Sequence, residues 1–188
     1  MAYSETLIVN LALARIGAKR ISDLAAGTSL EAIQGRTHYE HTRDALLRSH
    51  LWRFATARAE LSEDTDTPDF QWGHQFILPA DFLRVGTLYN TTASYAVEGQ
   101  RLLTDDSAVD LVYIRKVANP TEFDPLFVEV LVLKLAMAMV MPLAQDKVLR
   151  REIQDELAGV MSKARVVNLQ EINTVGRDDR NTWLDARV

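Results

Sequence analysis

Cysteine is absent from the 188 residues, so a disulfide framework, a thiolate zinc site and a cysteine nucleophile are all excluded. A basic excess is missing too. The formal net charge is −5, where a general DNA or RNA binder normally carries a positive balance. No apolar run reaches the roughly 20 residues that a helix needs to cross a bilayer. The most hydrophobic stretch, LFVEVLVLKLAMAMVM at 126–141, carries Glu129 and Lys134 and reads as a buried helix. Glycine is sparse, and Gly27 and Gly35 lack the lysine and the spacing of a phosphate loop. The opening MAYSETLIVNLALARIGAKR has no basic region before its apolar run and no small-residue cleavage site after it, so it reads as a mature N-terminus. No internal repeat or low-complexity tract occurs.

What is present is a composition of 47% hydrophobic and 25% charged residues, sufficient for one domain with its own core. Ser4 and Gly17 bracket a first helix as N-cap and C′ residue, with Leu7, Ile8, Leu11 and Ile16 close to one face. Thr28 and Glu31 have the spacing of a capping box and open a second helical region. Tyr39, Leu46, Leu47, Leu51 and Phe54 carry its 3.6-residue period, which stops between 55 and 60. The acidic, turn-rich SEDTDTPD at 62–69 is a loop. Five short β-branched or aromatic runs follow: QFILP, FLRVGTLY, SYAVEG, RLLTD and VDLVYIRKV. VEGQRLLT reads as a hairpin turning at Gly99–Gln100. Tyr89, Tyr95 and Tyr113 fall at strand positions, where cross-strand packing is their plainest role.

Asp124 and Pro125 supply an N-cap and an N1 proline for a helix running to Pro142 that is apolar on nearly every side. A further helix over 145–166 would bury Val148, Leu149, Ile153, Leu157, Val160 and Met161. Together these patterns predict a mainly α (α+β) fold, an antiparallel helix bundle with a small inserted antiparallel β-sheet and an extended C-terminal tail. The N-terminal helices occupy 1–61, the β-subdomain 70–118, the C-terminal helices 119–167 and a docking tail 168–188.

Chemistry is hard to find in this pattern. His38 and His41 stand three apart beside Glu40 and Asp44, but zinc wants a third convergent ligand and a second shell. Glu152, Asp155 and Glu156 resemble an acid–base pair for sugar hydrolysis only in type. Among Lys147, Arg150 and Arg151 they read as the solvated face of a helix. No serine sits in a nucleophile elbow. The expectation is no catalytic residue, no cofactor and no metal. The stretch RDALLRSHLWRFATARAEL at 43–61 carries Arg43, Arg48, Arg53 and Arg58 around Trp52 and Phe54. Residues five apart advance about 140° around a helix, so the four arginines cannot share one face. Core packing by Leu46, Leu47 and Leu51, with some arginines reaching neighbouring subunits, explains the stretch better than DNA contact.

The motifs LALARIGAKRISDL, RDALLRSHLWRFATARAEL, ILPADFLRV, YAVEGQRLLTDD and YIRKVANPTEFDPLFVEVLVLKLA, in this order, resemble the bacteriophage head-to-tail adaptor family, the tail tubular protein A of short-tailed phages. Leu51 stands where proline is expected in many relatives, leaving open whether the second helix breaks there or runs on. The resemblance implies a mostly helical fold with a β insertion and a ring of copies, expected to be twelvefold. The ring would lie beneath the portal protein, extend the DNA channel and offer a platform for the tail nozzle protein and tail fibres. Genomic DNA would pass without sequence-specific binding, and no membrane is involved. The location would be the head–tail junction of the virion, after assembly in the host cytoplasm. The all-round apolar helix at 126–141 fits ring packing, and the acidic charge suits a conduit that does not grip phosphate. Candidates for portal and subunit contacts are Arg48, Trp52, Arg53, Arg177, Arg180, Trp183 and Leu184. Two alternatives stand beside this reading: a virion-associated peptidoglycan hydrolase and a small nucleic-acid-binding module.

Overall fold

Ser4 starts the first helix as its position predicts. In a computed structural model that describes residues 2–89 and 94–171, its Oγ accepts the Leu7 N–H at 3.2 Å and opens α1 (Glu5–Arg15). Gly17, at φ +67°, ends it in a Schellman arrangement, with the Ala18 N–H returning to the Leu13 carbonyl at 3.0 Å. α2 (Leu30–Ser49) is capped one residue later than expected. Ser29, not Thr28, accepts the Ala32 N–H at 3.2 Å.

The largest departure begins where α2 stops. Residues 50–54 do not prolong the helix: His50 is extended, a 3₁₀ turn occupies Arg53–Ala55, and strand β1 (Thr56–Glu60) follows. Five further strands complete the β region: β2 (His74–Ile77), β3 (Phe82–Tyr89), β4 (Tyr95–Glu98), β5 (Arg101–Thr104) and β6 (Asp110–Arg115). They form two three-stranded antiparallel sheets, ordered β1-β6-β3 and β2-β5-β4. The expected helix bundle with one small inserted sheet is therefore corrected. The chain is a mixed α/β fold, with 19% of the described residues in strands against 48% in helix. The physical reason lies in β1, which is drawn from the stretch assigned to the bundle. Ala57 and Ala59 alternate with Arg58 and Glu60 at period two and pair with Tyr113 and Leu111 of β6.

The β4–β5 hairpin forms as predicted, with Glu98 opposite Arg101 and Gly99 at φ +58° as the first central residue of the turn. The two sheets enclose a small core of Leu61, Phe76, Leu78, Leu102, Val109, Leu111 and Tyr113.

α3 (Pro125–Leu143) starts on Asp124, whose Oδ1 accepts the Leu126 and Phe127 N–H groups at 2.8 and 3.1 Å. At 19 residues the helix is longer than the apolar run read from the sequence and, against that reading, long and apolar enough to cross a membrane, yet α1, α2 and α4 (Lys147–Gln170) all pack against it within the one chain. Val130, Leu131, Leu133, Leu135, Ala136, Met139 and Val140 are fully enclosed. Packing inside the subunit thus accounts for the all-round apolar character that the ring reading had drawn on.

α4 begins at the Asp146 cap and runs past its expected end at 166, so 168–170 belong to a helix and not to an extended tail. Ile153 and Ala164 are buried as a stripe, whereas Val148, expected inside, is 69% exposed in the first turn. The rest of the tail expectation, 172–188, lies outside the described residues.

Candidate functional site

Three of the five resembling motifs, 43–61, 77–85 and 113–136, meet at the junction between helices and sandwich, and Trp52 is its pivot. The chain leaves α2 in an extended conformation, which swings the indole back under the helix end. Its Nε1–H donates to the Leu46 carbonyl at 2.9 Å, satisfying one of the carbonyls that a helix terminus leaves free. The ring stands edge-on to Phe127 of α3 at 5.2 Å and to His50 at 5.1 Å. Phe54 and Phe123 complete an aromatic cluster, each packed against Phe127.

Asn168, near the end of α4, ties this turn down. Its Nδ2 donates to the Leu51 carbonyl at 2.8 Å, and its Oδ1 accepts the Arg53 N–H at 2.8 Å. The same amide lies 3.1 Å from His50 Nε2, which is then the acceptor of a neutral ring. Burial holds the His50 imidazole below its usual pKa, and the guanidinium groups of Arg165 and Arg84 add to the shift.

On the other side of α2, Arg43 is buried and bonds Asp44 at 2.7 Å, with Glu5 4.0 Å away and Tyr39 beneath the guanidinium. Lys116 also reaches Asp44, at 2.9 Å. Burial opposes ionisation of Asp44, but the hydrogen bonds from Arg43 and Lys116 outweigh it and hold the carboxyl below its ordinary range. In the sandwich, burial and the bond to Asp81 push the Tyr113 hydroxyl up to about 12.

The four arginines of 43–61 therefore have four surroundings. Arg43 is in the core, Arg48 donates to the Leu83 carbonyl on β3, Arg53 is exposed beside the Asn168 clamp, and Arg58 lies exposed on β1. Of the contact candidates, Arg48 and Arg53 are on the surface, while Trp52 is 1% exposed and its indole offers no face to a neighbour. Leu46 and Leu47 are fully buried as expected, but Leu51, assigned to the core, is 37% exposed because the helix ends before it. Arg177, Arg180, Trp183 and Leu184 lie outside the described residues.

The chemical candidates do not converge. No group of three or more His, Asp or Glu suited to a metal occurs among the described residues, His38 and His41 included. Glu156 pairs with Arg15 at 3.1 Å, and Glu152 and Asp155 are exposed on α4. Tyr113 packs against Phe82, whereas Tyr89 and Tyr95 are about half exposed. Asn168 had escaped sequence reasoning, although the spacing 153, 157, 161, 164, 168 continues the buried stripe of α4 onto a polar residue. No protein-family model matches the chain, and no curated protein is found similar to it.

Proposed function

We propose that the protein is a structural subunit of a phage virion, a head-to-tail adaptor that assembles as a ring under the portal protein. The ring, of expected twelvefold symmetry, extends the DNA channel and carries the tail nozzle protein and fibres. It lies at the head–tail junction after assembly in the host cytoplasm. Genomic DNA passes through it without being read, and no catalytic step, cofactor or membrane is involved.

The observation that supports this reading best is where the resembling motifs sit. Arg48 bonds Leu83, Trp52 packs on Phe127, Thr56 pairs with Ile114 and Lys116 bonds Asp44. Residues 43–61, 77–85 and 113–136 thus fix the helical layer on the sandwich, and their polar groups engage one another. That is a use of side chains for shape.

The test is solution mass by light scattering, for the protein alone and mixed with the portal of its own phage. A ring-sized complex formed with portal is expected. Removal of 172–188, a cut that spares the Asn168 clamp, should leave a folded subunit that no longer joins the portal. Indifference of the full chain to portal would overturn the adaptor reading, and normal docking of the shortened chain would overturn the role given to the tail.

A further inference from the structure

The sandwich carries two features that its own packing leaves unused, and they complement each other. The first is a groove of about 730 Å³ between strands β3 and β4. Each is the last strand of its sheet, so both present unpaired edges to this opening. Gly86 and Gly99 line it, Tyr95 and Val97 are 46% and 40% exposed, and Arg48 and Arg84 stand on the rim. Both arginines are exposed, and among the described residues they bond backbone carbonyls and neither has a carboxylate in ion-pair reach.

The second feature is the segment 62–72, SEDTDTPDFQW, with four acidic residues and no basic one. It is a built loop. Asp64 pairs with Arg101, the Asp66 carbonyl accepts from Gln75 Nε2 at 2.8 Å, and Gly73 N–H bonds Asp105 at 2.9 Å. Held this way, with Gln71 at φ +74°, the loop presents Phe70 80% exposed, the most exposed of the large apolar side chains among the described residues. Asp66 and Asp69 flank it and have no cationic partner among the described residues.

A rigid aromatic knob beside two aspartates, and a mostly polar cleft with Tyr95 and Val97 exposed on its wall and two arginines on its rim, make a pair matched by charge, with an aromatic anchor and flanking charges of the kind that dominate interfaces. The loop is bonded over the outer face of the β2-β5-β4 sheet, so filling its own groove would break those bonds. We infer that Phe70 of one copy enters the β3–β4 groove of the next, with Asp66 and Asp69 against Arg48 and Arg84. Two different surfaces joined head to tail propagate from copy to copy, and close as a ring when the rotation allows. The inference rests on the ring reading above and names the two surfaces that would join its copies.

Two half-disabled variants test it: Phe70→Ala, which lacks the knob, and Arg48→Glu/Arg84→Glu, which lacks the charged rim. Phe70 is exposed, so its variant should melt as the wild type; the Arg48/Arg84 variant gives up bonds to the Leu83 and Arg48 carbonyls, so a lower but still cooperative melt is its folding control. In sedimentation over a concentration series, the wild type should self-associate, more weakly at high salt. Each variant alone should associate at least tenfold more weakly. Mixed, they should form a one-to-one heterodimer and stop, because only one knob and one groove remain. Association of both variants equal to the wild type would overturn this contact while leaving a ring through other surfaces standing. A wild type monomeric at its highest soluble concentration would overturn it too. A heterodimer from a protein that ignores portal would instead sink the adaptor reading and keep the contact.

Discussion

The helical half and the sandwich treat apolar surface differently. Around α3 the chain encloses a large core in which Leu13, Leu46, Trp52, Phe127, Leu131 and Met139 are all essentially inaccessible. The core enclosed between the sheets is a cluster of seven buried apolar residues among those described, and the sandwich leaves Phe70, Ile77, Tyr89, Tyr95 and Val97 exposed and the edges of β3 and β4 unpaired. Small cores contribute little stability by themselves, and open edges invite pairing with another chain. The contrast teaches where to look for partners. The most hydrophobic element, α3, is spent inside the subunit; the other helices leave Leu30, Val148 and Leu169 exposed, and the β region adds open strand edges to its own exposed aromatics.

The sharpest way to break this comparison is to cut one aromatic from each region. Trp52→Ala removes the pivot under α2, its bond to Leu46 and its contact with Phe127, and should destabilise by about 3–5 kcal/mol. For a chain of this length that is a fall in melting temperature on the order of 10 °C. Phe70→Ala should leave the melt unchanged. Calorimetry giving equal effects for the two would erase the distinction between an enclosed aromatic and one left for a partner.

A smaller effect is expected at the seam. Asn168→Ala would leave the Leu51 carbonyl and the Arg53 N–H without their partner, at a cost of about 1–3 kcal/mol. The last turns of α4 should then exchange amide hydrogens much faster than α3. Uniform protection of α4 in hydrogen exchange would show that apolar packing at Ala164 holds the helix without the clamp.

Much of this could be read from residues with local meaning. Ser4, Gly17, Gly99, Asp124 and Pro125 each act through neighbours a few positions away, and each does what its spacing predicts. The misreadings share the opposite property. Residues 50–60 look helical because Leu47, Leu51 and Phe54 keep the period, but tertiary contacts decide there: the indole caps the helix from outside and β6 pairs with Thr56–Glu60. Two sheets rather than one follow from which strands meet, information that alternation within a strand does not carry. Asn168 was hidden for the same reason, since its partners lie 115 and 117 positions earlier. Phe70 stands just past the acidic run at 62–69, at the first position assigned to the β-subdomain, where nothing local marks it as a knob.

The smallest effect is set by pH at the same seam. Burial, with Arg165 and Arg84 nearby, holds His50 below the ordinary imidazole value of about 6.5. Between the folded pKa and that value, the unfolded chain binds more protons than the native one. Stability is therefore fully present above about pH 6.5 and declines as pH falls through the folded pKa. Protonation would also set an N–H on Nε2 against the Asn168 amide, which donates to that nitrogen in the neutral form. Asp44, held low by Arg43 and Lys116, loses its contribution only at more acidic pH, so the two groups act in separate windows. Melting temperatures between about pH 7.5 and 5 should thus fall more steeply for the wild type than for His50→Gln, whose amide oxygen can accept the same bond at any pH. Parallel slopes would place the pH dependence of the junction elsewhere than on His50.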